Sequence, residues 1–188
     1  MEKSQELKAS ALQTIQTEID VDLLKEPLEY IFADHFRQRA LCMLLDEIAD
    51  DEPTDPELVS AALTFLTSEF QPHIADEETG LFPLLQKRAE PEDEIDKVLQ
   101  QLTEEHVSDG QDAKIIVSAL KKLIQAQVEN PIDPDTADLL KRFAANERQH
   151  LIVENSIVLP LARARLTQED CANLAKSMAD RRGVALDD

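Results

Sequence analysis

The four histidines of this chain fall into one repeated pattern. His35 stands alone and His73 is followed four residues later by Glu77. His106 stands alone and His150 is followed four residues later by Glu154. Each His-x-x-x-Glu unit reaches a Pro-Leu pair ten residues after its histidine, at Pro83–Leu84 and again at Pro160–Leu161. A lone histidine plus one such unit therefore occurs twice. On a helix, positions i and i+4 are stacked neighbours, so each unit aims an imidazole nitrogen and a carboxylate at one point. Two halves packed face to face would bring four imidazoles and two carboxylates together, the ligand set of a dinuclear metal site.

Imidazole and carboxylate suit iron, manganese or zinc, and no thiolate is present in the pattern to favour copper(I) or a cluster. A carboxylate has two oxygens, so each glutamate can bridge two metals. If each metal takes two imidazoles and one oxygen from each glutamate, it has four protein ligands. An oxo or hydroxo bridge makes five and leaves one position for a small molecule. Octahedral iron fits that count, whereas a closed tetrahedral structural zinc does not need it. One His-x-x-x-Glu in so acidic a chain is a weak signal, and any single histidine here reads as an ordinary core or surface residue. The even placement of all four carries the metal reading.

The elements that must position these residues are helices. The chain has three glycines and no tryptophan, and it is rich in good helix formers. Residues 1–25 read as an N-terminal arm or short helix, through Leu7, Ala11, Ile15 and Ile19. A first long helix runs over roughly 26–50, with Pro27 in its first turn. The stretch from Asp50 to Pro56 reads as a loop. A second helix covers about 56–88, with a kink at Pro72 because an interior proline removes a hydrogen bond. A third starts at Pro91 and runs to about Asn130, where Asn130–Asp135 form a turn. The fourth covers roughly 134–163. Thr167 and Asp170 form a capping box that opens a short fifth helix, which stops at Gly183. The expected fold is all-α: an up-down-up-down four-helix bundle over residues 26–165, with a C-terminal helix and tail over 166–188.

The formal net charge of −20 argues against nucleic acid as a partner, because binding phosphates needs a basic face, and against anionic membrane surfaces. No apolar run approaches the roughly 20 residues that span a bilayer. Met1–Leu7 carries no basic region followed by an apolar stretch, so no signal peptide is visible and a cytoplasmic location is expected. Cys42 and Cys171 form no Cys-x-x-Cys pair and read as reduced thiols, with Cys42 in a buried structural role. Glu69, one turn before His73, and Glu105, beside His106, read as imidazole acceptors, as gates for protons or metal, or as solvated acids. Tyr30 is left unassigned.

The order His, HxxxE, His, HxxxE on four helices resembles the hemerythrin-like, or HHE cation-binding, domain. The stretches Tyr30–Ile31–Phe32–Ala33–Asp34–His35–Phe36–Arg37 and His73–Ile74–Ala75–Asp76–Glu77 through Pro83 are similar to its signatures. The resemblance covers about residues 26–165. It implies His35, His73, Glu77, His106, His150 and Glu154 as ligands of a non-haem di-iron centre, with Glu77 and Glu154 bridging. His35 and His73 would serve one iron, His106 and His150 the other, with manganese or zinc as substitutes.

Oxygen-carrying relatives have a further histidine where Gly110 stands, and an aspartate five residues after the last histidine instead of Glu154 at four. The four-histidine set is similar to that of bacterial iron-centre repair proteins. The resemblance implies a stress-response protein reacting with O2, NO or peroxide, in iron handling or iron-centre repair. The alternative is an iron, oxygen or NO sensor that works through a protein partner without turnover. An acidic helical interaction protein with no metal is the third reading.

Overall fold

The computed structural model describes residues 2–50, 54–126 and 132–186. Among these residues there is no strand, and the chain is an all-α helical bundle. Helix α1 spans Glu2–Gln16. It is a true helix with Ala11 and Ile15 buried, while Leu7 is exposed. A short 3-10 turn, Val21–Lys25, follows, and the side chain of Asp20 caps it by accepting from the Asp22 N–H. Pro27 then opens α2, Pro27–Asp50. A proline there costs nothing, since the first N–H groups of a helix have no internal acceptor.

The expected loop between Asp50 and Pro56 lies partly outside the described residues. Asp55 caps α3, Pro56–Ser68, by accepting from the Glu57 N–H. The second helix of the sequence reading is broken in two places. The first break is at Glu69, three residues before Pro72, where the kink was expected. The Pro72 ring crowds the carbonyl of Ser68, the last residue of α3, so the helix gives way there. Helix α4 resumes over Phe70–Asp76. A π-helical turn follows over Glu77–Leu81, and α5 covers Phe82–Arg88.

The third helix starts later than expected. Glu90 and Asp93 form a capping box around their own 3-10 turn, Pro91–Asp93, and Glu94 takes a left-handed backbone with φ 46°. Helix α6 therefore begins at Asp96 and runs to Gln125. The expected end near Asn130, and the start of the turn after it, lie outside the described residues. Helix α7 spans Pro134–Val153. A second π turn, Glu154–Val158, separates it from α8, Leu159–Arg165. Helix α9, Gln168–Arg182, begins at the Thr167–Asp170 capping box and ends where Gly183 adopts φ 66°.

The chain forms two compact units. The first comprises residues up to Glu18, Phe36–Phe70 and Ser108–Gln149. Helix α1 lies on α3 there, and the rings of Phe70 and Phe143 pack with centroids 5.7 Å apart. The second comprises Ile19–His35, Gln71–Val107 and the chain from His150 onward. Its core joins Ile31, Leu81, Leu85, Leu102, Leu159 and Met178, among others. Burying each such side chain contributes about 1.5–3 kcal/mol. That offsets the irregular backbone of the π turns. No described helix is long and apolar enough to cross a membrane.

Candidate metal centre

Four helical segments of the second unit supply the six predicted residues. His35 comes from α2, His73 from α4 and Glu77 from the π turn that follows it. His106 comes from α6, His150 from α7 and Glu154 from the second π turn. All six are buried, with Glu77 and Glu154 fully so. Their donor atoms form two groups that share both carboxylates: His35, His73, Glu77 and Glu154, and His106, His150, Glu77 and Glu154. Within each group, one donor atom per residue lies within 4.8 Å of every other.

His73 Nε2 is 3.4 Å from Glu77 Oε2, and His106 Nε2 is 3.3 Å from the same oxygen. His150 Nε2 lies 2.9 Å from Glu154 Oε1, and His35 Nε2 lies 3.4 Å from Glu154 Oε2. Each carboxylate thus faces imidazoles from both groups. The ring of Phe82 stacks on His106 at 5.8 Å.

The outward nitrogens are all held. His35 Nδ1 is 2.9 Å from Asn155 Oδ1, and His73 Nδ1 is 3.1 Å from Asp34 Oδ2. His106 Nδ1 is 2.6 Å from Glu78 Oε1, which also accepts through its other oxygen from Thr103 Oγ1, and His150 Nδ1 is 2.8 Å from Glu105 Oε2. Carboxylate and amide oxygens accept only, so each Nδ1 carries a hydrogen and Nε2 is the nitrogen left to face a metal once any proton on it is displaced. Each acceptor is the chain neighbour of a different predicted ligand. Asp34 adjoins His35 and serves His73; Glu78 adjoins Glu77 and serves His106. Glu105 adjoins His106 and serves His150; Asn155 adjoins Glu154 and serves His35. The relay closes on itself through all four segments.

The two π turns aim the carboxylates. Glu77 and Glu154 are the first residue of each turn, and in each the carbonyl accepts from an N–H five residues on, at Phe82 and Leu159. The cause is the proline six residues after each glutamate. Pro83 and Pro160 offer no N–H and crowd the carbonyls of Thr79 and Ser156, so the helix widens by one residue ahead of them. The repeated Pro-Leu offset is the sequence trace of that widening.

The electrostatics are those of a donor set whose counterpart is a cation. His35 Nε2 and both oxygens of Glu77 and Glu154 are buried with no hydrogen-bond partner among the described residues. Buried polar atoms left so are rare and costly. Burial alone would lower the His73 pKa, but the Glu77 charge and the hydrogen bond to Asp34 outweigh it and raise it to about 10. Burial likewise opposes the charge on His106, and Glu77 again raises its pKa. Burial would push the Glu77 carboxyl up, yet the charge of His73 and the adjoining His106 and His35 imidazoles hold it well below the usual range. Protons occupy such a cluster in the absence of metal, and a cation would displace them. These residues fit a dinuclear metal centre.

A family model described as the hemerythrin HHE cation binding domain matches residues 26–162. The chain belongs to that family. No curated protein matches it. The family's cation-binding character and the two His/Glu groups together indicate a metal-binding role for this hemerythrin-type domain.

Other residues fall differently from the sequence reading. Glu69 pairs with Arg37 at 3.5 Å in the first unit, and Asp34 is the acceptor for His73. Glu105 is an imidazole acceptor, but of His150 and not of its neighbour His106. Asp34, Glu78 and Asn155 were missed. Their adjacency to predicted ligands was a signal, but it does not say which other helix they face. Tyr30 accepts from Arg182 Nε at 3.1 Å. Cys42 is buried in the first unit, where desolvation and then the Glu147 charge push its thiol far up.

Proposed function

We propose that this hemerythrin-type domain holds two non-haem irons and reacts with O2, NO or peroxide, in iron handling or iron-centre repair under oxidative or nitrosative stress. The observation that supports it best is the convergence of four imidazole Nε2 atoms on two shared, buried carboxylates, with every Nδ1 tied outward. His35 and His73 would hold one iron and His106 and His150 the other, with Glu77 and Glu154 bridging. Such a pair, when bound, supplies redox chemistry and an open position for a small molecule.

The chain's own part is to orient and to enclose. The four Nδ1 contacts fix which imidazole nitrogen faces inward and which way each ring points. Phe82 and the apolar core beside it keep bulk water from that end of the cluster. Buried as they are, the charges of Glu77 and Glu154 are screened less than they would be in water, so they act more strongly on whatever cation they share.

Protein purified from iron-supplemented cells is expected to carry two irons per chain, with the Mössbauer signature of a coupled pair. Glu77→Ala and Glu154→Ala are each expected to remove most of the metal. Retention of both irons by either variant would sink the bridging assignment. Rapid mixing with H2O2 or NO then separates the two classes of activity. Steady turnover marks an enzyme, and a stable adduct marks the sensor, a module that binds without turnover.

A further inference from the structure

Helix α9 lies beyond the family-matched residues 26–162, yet it grips the segment that carries Glu77. Asp76, the residue before Glu77, is 1% exposed. Arg181 Nε donates to its Oδ1 at 2.7 Å, and Arg182 Nη2 donates to its Oδ2 at 2.6 Å. Arg182 also donates through Nε to the Tyr30 hydroxyl, and its guanidinium lies 4.8 Å from the centre of the Tyr30 ring. Tyr30 is on α2, five residues before His35. Leu174, also on α9, packs against the π turn at Gly80. A Cβ added at Gly80 would lie 2.6 Å from Leu174 Cδ1, so a larger residue there would have to displace the Leu174 side chain.

A π turn replaces the ordinary i to i+4 bonds with wider i to i+5 ones, here from the Phe82 N–H to the Glu77 carbonyl, so the direction of its first residue depends more on what packs against it. Here the turn is held from outside, at the residue before it and at its fourth residue, by one helix. A buried carboxylate shared by two guanidinium groups is costly to disturb, because removing a partner leaves a charge buried with less compensation. Side chains that orient metal ligands typically change metal affinity about 10–100-fold when lost.

We propose that α9 is a clasp that sets the position of Glu77, so that Arg181, Arg182 and Leu174 are positioning residues of the metal centre although they lie outside the family domain. This rests on the proposed reading of Glu77 as a ligand. The test loads the full chain with ferrous iron and follows transfer to an excess of a coloured iron chelator. Arg181→Gln/Arg182→Gln is expected to release iron at least tenfold faster than the parent, with an unchanged helical circular dichroism signal. Arg182→Lys, which keeps the charge but loses the fork, should fall between the two.

Melting temperatures supply the second readout. A positioning role lowers that of the iron-loaded protein more than that of the metal-free protein, whereas a merely structural role lowers both equally. If the double variant does not fold, Arg182→Lys and Leu174→Ala carry the same comparison. A parent that holds fewer than two irons overturns the metal reading and the clasp together. A parent that holds two while the folded variants release iron at its rate, with equal losses in melting temperature, overturns the clasp alone.

Discussion

His150 shows how much one acceptor decides. Its Nδ1 meets Glu105 Oε2 at 2.8 Å, and the Glu105 side chain on α6 is 36% exposed. An imidazole without that partner can turn its ring or carry its hydrogen on Nε2, and either change withdraws the inward lone pair. Glu105→Ala is therefore expected to weaken metal binding about 10–100-fold, with little change in the melting of the metal-free protein, as read by chelator competition and circular dichroism. An unchanged affinity would mean that backbone packing alone orients the ring. Asp170 allows a second prediction at this scale. The Arg88 guanidinium and the Thr167 N–H and hydroxyl hold its carboxyl below the ordinary 3.8. A carboxyl lowered on folding contributes stability that is fully present above its unfolded value and is lost as pH falls through the folded one. Acid titration should therefore loosen the start of α9 below about pH 4. Asp170→Asn should flatten that part of the melting-temperature profile, and an unaltered profile would remove the assignment.

At the scale of elements, the π turns are what distinguish a row of acids from an aimed pair. Pro83 and Pro160 each force one extra residue into the turn before them, and the glutamate at its start shifts relative to everything downstream. Deleting Ser156, an exposed residue of the second turn, removes the extra residue, so α7 and α8 should join as one helix that Pro160 kinks. Helix content is expected to persist while metal binding drops, because Glu154 and Asn155 are re-aimed together. Metal analysis beside circular dichroism reads both, and full metal content in the deletion would show that the widened turn has no part in the site. Helix starts were legible at Pro27, Pro56 and Pro134, and at the Thr167 capping box, because caps and first-turn prolines act over a few residues. The break at Glu69 was misplaced by three residues, since the strain of Pro72 falls on the carbonyl four positions before it. The start of α6 was misread because the acids after Pro91 close a separate turn. The two π turns went unread because a proline late in a helix signals disruption without saying how the backbone absorbs it.

Across the whole molecule, the clustering of the six candidate residues was legible because their types and spacing repeat. Their supports were not, because Asp34, Glu78 and Asn155 find their histidines on other helices, and only tertiary structure says which helix is the neighbour. The relay of acceptors follows the two sequence halves in an uneven way. Asp34 supports His73 and Glu105 supports His150, each inside its own half. Glu78 supports His106 and Asn155 supports His35, each across to the other half. Neither half is self-sufficient, and the two are not interchangeable, since one crossing ends on a carboxylate and the other on an amide. A protein assembled from two copies of either half would meet His35 with a glutamate, or His106 with an asparagine. The repeat thus resembles a matched lock of two differently cut parts, and the difference between Glu78 and Asn155 is a mark by which the chain tells its first half from its second.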